Sequence, residues 1–454
     1  MGSLFTSMVS TAGAMRALQS SLNVVNNNIV NASTVGFARQ EATLVANPFN
    51  PNTSSTSGGV TFGATQSSRS AFVEATVWKT QQRASYAGSM SAKMTEVERS
   101  FPITAGAGVS GAMERFFGAV GQWSIAPNSP VTRSQVLDRA GALAQSFNQV
   151  ALDLGDAAGR AGADITANVR QINRLTSDIV AINRQLREGF GASSDAGLDA
   201  NLHAKLEELS QYVDFTAISQ EDGSVSIFIG GQTAAVIGDH YWPLSVSTSA
   251  GGYVIEDADG IDITSRVSGG SLGAALNFRN NVLPGYQTEL DALAQGLADS
   301  INGVLNAGID QNGNTPTRGL FTYNAAVGAA STLALTGITA PELAAAEPGD
   351  PGGNTNALNL ADLQNTGLFA GLTPAQYYAD LAGSIGNRLN AERSDGDLQQ
   401  QLLLQAQNMR SELSGVDINT EAVKLLQLQK GFQAAGQVMS VLNSMTETLI
   451  SMMR

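Results

Sequence analysis

Both ends of this 454-residue chain carry the same hydrophobic period. Near the start, Leu4, Met8, Met15, Leu18, Leu22, Val25 and Ile29 alternate three and four apart, with Thr11 in the one missed slot. The last segment repeats the pattern through Leu425, Leu428, Phe432, Ala435, Met439, Leu442, Thr446, Leu449 and Met453. A 3.5-residue repeat held over about four heptads marks the seam of a coiled coil. A second stripe, Ala434, Val438, Val441, Met445 and Met452, runs beside the C-terminal seam, so that helix is apolar on two adjacent faces. One partner helix cannot cover both. Asp417 or Asn419 can cap its start, and Glu421 falls in the first turn, where the helix dipole favours an acid. Chain ends ordinarily fray. The expectation is that the two extremities pair lengthwise and order when neighbouring copies seal the remaining apolar face. Asn26, Asn27 and Asn28 are then expected to face solvent, a channel or another subunit.

The length implies two to four compact units, and 43% apolar content is enough to build their cores. Only five lysines and a net charge of −14 leave no basic stripe for nucleic acid, and an anionic membrane surface is disfavoured for the same reason. No cysteine occurs, which removes disulfides, thiolate nucleophiles and cysteine-ligated metals. With only His203 and His240, a multi-histidine metal site within one chain is excluded. No apolar run reaches the ~20 residues of a membrane span. The first residues lack the basic and continuous apolar regions of a secretory signal.

Helical periodicity dominates between the ends. It marks residues 72–101, a start at Ser129-Pro130 running through Leu154, then Ile165 to Leu186, Leu202 to Val213, Leu290 to Leu305, and 374–413. From 214 to 267 the pattern turns to short β-rich runs punctuated by Asp222-Gly223, Gly230-Gly231, Gly251-Gly252 and Asp259-Gly260, which are hairpin signals. Residues 38–70 are also β- and turn-like, and 344–356 has the composition of a surface linker. The fold class is therefore mainly α with a small inserted β domain. The expected division is a terminal coiled coil (1–35 and 417–454), a helical body (36–213 and 268–416) with a β/turn segment at 38–70, and the β domain (214–267).

Candidate chemistry is thin. Gly106, Gly108 and Gly111 match a GxGxxG string, but a helix precedes it where a dinucleotide fingerprint needs a strand, so a flexible interhelical loop is expected. Asp310, Asn312 and Asn314 lack the glycine and glutamate of a calcium loop and are read as an Asn-Gly turn. The pairs Glu96/Glu98 and Glu207/Glu208 are read as solvated helix faces, and both histidines as solvated or core-edge side chains. No cofactor, metal or catalytic residue is expected.

Two stretches carry a resemblance. "NVVNNNIVNASTVGFARQ" (23–40) resembles the N-terminal signature of flagellar rod, hook and hook-associated axial proteins, and "SGVDINTEAVKLLQLQKGFQAAGQVMSVLNSMTETLISM" (414–452) resembles their shared C-terminal helix. Within that superfamily the chain is most similar to the FlgK family of hook-associated proteins. Arg39-Gln40 follows the Gly-Phe turn where rod and hook proteins usually place lysine, a helical insertion fills 130–213, and residues 270–314 are close to that family's central segment. "NLHAKLE" (201–207) replaces the family's usual LLDQRD, and only a short loop joins Gly319 to Ala357 where larger relatives carry a further β domain. The resemblance implies a non-enzymatic structural protein of the extracellular flagellum, exported unfolded by the type III route without a cleaved signal. It would form a homo-oligomeric ring between hook and filament, touching hook protein on one side and hook-associated protein 3 on the other. An export chaperone would hold the C-terminal helix beforehand. The signature turn would comprise Asn27, Asn28, Asn31, Thr34, Gly36, Phe37, Arg39 and Gln40, with Phe37 anchoring the next layer. The rival readings are another axial protein, of hook or distal rod, and a wall-cleaving hydrolase, which would need convergent carboxylates.

Overall fold

One helix of 59 residues, α4 (Pro130–Glu188), organises the molecule. The computed structural model describes residues 2–49, 58–104, 106–188, 195–220, 222–249 and 251–452. The chain begins with α1 (Gly2–Val30), crosses a hairpin of β1 (Gln40–Ala46) and β2 (Val60–Ser67), and enters α2 (Ala71–Ser100), α3 (Gly108–Ile125), α4 and α5 (Ala196–Tyr212). Strands β3 (Phe215–Ser219), β4 (Val225–Ile229), β5 (Thr233–Ile237) and β6 (His240–Tyr241) form an antiparallel sheet in sequence order, followed by a hairpin of β7 (Ser245–Ser249) and β8 (Gly252–Glu256). Helices return with α6 (Gly270–Asn277) and α7 (Leu283–Ala307), joined by a single π turn, Phe278–Val282. Short β9 (Phe321–Thr322), α8 (Ala329–Thr332), β10 (Ala334–Leu335) and α9 (Thr355–Asp362) lead to α10 (Pro374–Ser414) and α11 (Ile418–Met452).

Two cores lie along α4. Its first half joins α3, α7, α9, the second half of α2 and the first half of α10 around Phe116, Trp123, Phe147 and Phe278. Its second half packs α5, α6 and the inner faces of β3–β5 and β8 around Ile172, Ile179, Leu206, Ile227 and Ile255. Sequence periodicity suggests separate helices ending near Leu154 and starting near Ile165. Instead α4 runs through Gly155, Gly159 and Gly162, because burial on both sides outweighs the ~1 kcal/mol that each helical glycine costs.

Asparagines fasten strands to helices. Asn28, Asn173, Asn183, Asn280 and Asn302 each accept from the N–H and donate to the C=O of one residue: Gln40, Leu244, Val225, Tyr253 and Phe321, respectively. A side-chain amide thus supplies the donor and acceptor that a neighbouring strand would have offered. The hairpin signals hold: Gly223, Gly230, Gly231, Gly251 and Gly260 all have positive φ at the turns between or after these strands.

Two expectations are corrected here. The GAGVSG string is not an interhelical loop throughout, since α3 already begins at Gly108. Gly111 sits in that helix because the backbone of Gly106 folds onto it, and a Cβ would overlap. Ala344, Ala345 and Ala346 are buried in or beside the first core, and Ile309 donates to Ala346 O at 2.8 Å, so only the following turns are surface linker. At Asp310 the carboxylate accepts the N–H groups of Asn312 and Asn314 at 2.8 Å, which makes the Asn-Gly turn.

Candidate functional site

The two terminal helices lie antiparallel. Asn28, near the end of α1, meets Glu421, in the first turn of α11; Leu18 lies against Gly431, and Met8 against Thr446. Leu4, Met8, Met15, Leu18, Leu22 and Ile29 are half-buried, and Val25 is buried. Opposite them Leu425, Leu428, Phe432, Met439 and Leu442 are half-buried, Leu449 is exposed, and Met453 lies outside the described residues. Asp417 caps α11, accepting from the Asn419 N–H at 2.9 Å and the Thr420 hydroxyl at 2.8 Å, and its carboxyl is held below the ordinary range by Thr420 and then by the Asn419 backbone.

The second stripe remains open. Val438, Val441, Met445 and Met452 are 52%, 54%, 51% and 79% exposed, and Val423 and Ala434 are exposed beside them. Across the pair, Phe5 and Val9 of α1 are exposed too. At the free end a shallow groove forms between Leu4 and the residues Val441, Met445, Leu449 and Met452. A monomeric soluble protein seldom leaves so continuous an apolar face uncovered.

At the other end of the pair sits the signature turn. Asn27 and Asn26 are exposed, but Asn28 is fully buried, so the expectation that all three face outward is corrected. Its Nδ2 donates to Gln40 O at 2.8 Å and Glu421 Oε2 at 2.9 Å, and its Oδ1 accepts the Gln40 N–H at 2.9 Å. One amide therefore ties α1, β1 and α11. Ala17, Ser21 and Asn28 each precede a seam residue (Leu18, Leu22 and Ile29) by one position, and all three are buried, as is Val25 of the seam itself. Asn31 donates to Asn27 Oδ1 at 2.8 Å and receives the Thr34 hydroxyl, while the Phe37 N–H donates to Thr34 O at 3.1 Å. Gly36 has φ +78°, and a Cβ there would overlap the carbonyl oxygen of Ala200 in α5. Phe37 is half-buried, Gln40 is buried with its amide on Ala38 O, and Arg39 pairs with Glu41 at 2.6 Å while its N–H donates to Ser414 O.

Beneath the turn is an ion cluster that the sequence reading did not find. Arg69 donates to Gly36 O at 2.6 Å, Glu74 Oε1 at 2.7 Å and Asp199 Oδ2 at 2.8 Å. Arg410 donates to Glu207 at 2.7 Å and stands 3.7 Å from the fully buried Glu74 Oε2. The reading of Glu207 as a solvated face is corrected: it links α5 to α10. His203 is a core-edge residue, stacked on Trp78 with Nδ1 2.9 Å from Asp199 O, whereas His240 is exposed. Burial works to raise the Asp199 carboxyl, yet the His203 hydrogen bond and charge, with Arg69, hold it below the usual range. Burial likewise works against the Arg410 charge, and Glu207 and then Glu74 overcome it. These residues are scattered through the sequence, so no local spacing could reveal them. They join both crossings of the chain between the paired ends and the body.

Among the described residues no cluster of three or more acids and histidines could hold a metal, and no helix is long and apolar enough to cross a membrane.

The chain ends pair along a half-filled seam and leave one apolar flank open, and residues 407–452, which include that flank, match the flagellar basal body rod FlgEFG protein C-terminal family, a class of flagellar proteins. Residues 94–321 match the flagellar hook-associated protein FlgK helical domain, half of the chain, and the chain belongs to the FlgK family. It is 23% identical to flagellar hook-associated protein 1 of Bacillus subtilis (strain 168) over 99% of both chains. It is 23% identical to that of Escherichia coli K12 over 98% of this chain and all of the other. The solved hook junction protein FlgK of Burkholderia pseudomallei shares the fold, with a TM-score of 0.67 and 15% identity over 74% of this chain and 99% of that one.

Proposed function

We propose that the chain is a structural, non-enzymatic subunit of the extracellular flagellum that forms the junction between hook and filament. The observation that carries this is the open heptad flank of α11, lying beside a seam already occupied by α1. Neighbouring copies cover that flank and close a ring, with hook protein below and hook-associated protein 3 above. The terminal pair (1–35 and 417–454) acts as the assembly unit, the helical body (36–213 and 268–416) spaces it outward, and the β segment (214–267) sits on the body. The seam residues Leu4 to Ile29 and Leu425 to Leu449 hold the pair; the turn from Asn27 to Gln40 sets how it leaves the axis. Before assembly the same α11 flank suits an export chaperone, and export proceeds without a cleaved signal. Residues 94–321 favour this reading over hook or distal rod protein. The V438S/V441S/M445S variant tests it: a strain producing only this chain should form hooks without filaments, and the purified variant, supplied from outside, should fail to sediment with isolated hooks. Normal filaments on that strain would overturn the proposal.

A further inference from the structure

The described methionines divide sharply by exposure. Met90, Met94 and Met113 are buried in the first core, and Met8, Met15, Met409 and Met439 are half-buried. Only Met445 and Met452 are exposed among the described residues, and both lie on the open stripe of α11, seven residues apart and in line with Val438. They also line the end groove with Leu4, Val441 and Leu449, where the neighbouring polar groups are the small hydroxyls of Ser440, Ser444 and Thr448. A thioether is apolar and polarizable, so it fits a surface that must be covered. It is also the one side chain on this flank that a mild oxidant converts into a polar group.

We infer that Met445 and Met452 are a peroxide-sensitive modification site that controls whether an unassembled chain can join the structure. The sulfur lone pair attacks one oxygen of hydrogen peroxide, the O–O bond breaks, and an S–O bond forms. The departing oxygen takes the remaining proton and leaves as water; sulfur is oxidised by two electrons and peroxide is reduced by two. The sulfoxide is a strong hydrogen-bond acceptor placed where a neighbour would have to strip its water. Assembled chains are spared because the neighbour covers the thioethers. This rests on the assembly reading above.

The test uses the full-length chain. Peptide mass spectrometry during peroxide treatment should show Met445 and Met452 oxidised first, and Met90, Met94 and Met113 last. Treated and untreated protein are then sedimented with isolated hooks from a strain lacking the chain. Treated wild type should bind roughly tenfold less, the factor that about 1.4 kcal/mol represents, and methionine sulfoxide reductase should restore binding. The treated M445L/M452L variant should bind like its untreated form. Equal binding by doubly oxidised wild type overturns the inference, as does equal loss in the leucine variant. Untreated wild type that fails to bind hooks removes the assembly reading itself, and this inference with it.

Discussion

Asn28 shows how one amide can decide the geometry of two crossings. Its three hydrogen bonds hold β1 and the start of α11 against α1. Replacing it with alanine strands the buried Gln40 peptide groups, at about 2–4 kcal/mol. Aspartate should be worse than alanine near neutral pH, because a second carboxylate would face Glu421 Oε2 and the Gln40 carbonyl from a fully buried position. Acidification should therefore narrow the gap between N28D and N28A. Amide hydrogen exchange at Gln40 in the two variants measures this, and an N28D chain as protected as wild type at pH 7 would refute it. G36A should be destabilised by more than ~1 kcal/mol, since both its φ of +78° and the Ala200 carbonyl oppose a Cβ. The glycine was legible as a turn from sequence. The difference between Asn28 and its two neighbours was not, because heptad spacing identifies which face a residue occupies but not which partner supplies its hydrogen bonds.

Elements with a strong period were legible throughout: α1, α2, α10, α11 and the punctuated strands follow their hydrophobic spacing. What periodicity could not give was the joining of elements by scattered charge. Arg69, Glu74, Asp199, Glu207 and Arg410 form the joint beneath the signature turn from three separate stretches of the chain. Its pH dependence follows from Asp199, whose folded pKa lies below the ordinary 3.8. Such a group stabilises the fold fully above its unfolded pKa, and that contribution is lost as pH falls through the lower folded value. The joint should thus be intact at pH 5 and above and loosen below about pH 3.8. Trp78, stacked on His203, reports it by fluorescence; D199N should remove that acid transition while leaving the core signal of Trp123. The two faces of α11 should also separate by mutation. Leu428→Ala, in the seam, should weaken the monomer's terminal pair by about 1–2 kcal/mol, read as faster exchange in α1. Val441→Ser, on the open flank, should leave that exchange unchanged and reduce hook binding.

For the molecule as a whole, the decisive fact is that, among the described residues, neither hydrophobic core draws a residue from the terminal pair. The first core runs from Met90 to Leu389 and the second from Trp78 to Leu276, with a small third contact of Val77, Leu403 and Ala406 between α2 and α10. Where the chain passes between body and ends, Arg39 donates to Ser414 O, at the end of α10, Ser414 donates to Ser68 O, and Asn28 ties α1 to Glu421 of α11. Body and ends are thus mechanically joined but energetically separable. A chain truncated after Gly415 should keep both cores: the fully buried Trp123 should retain its emission, and α3, α4 and α7 their slow exchange. The same chain should lose protection along α1, whose seam partner is gone, and should no longer sediment with hooks. Collapse of the Trp123 signal on truncation would mean that the ends support the cores directly. It would also mean that the open flank of α11 belongs to a folding unit, not to a surface kept free for neighbours.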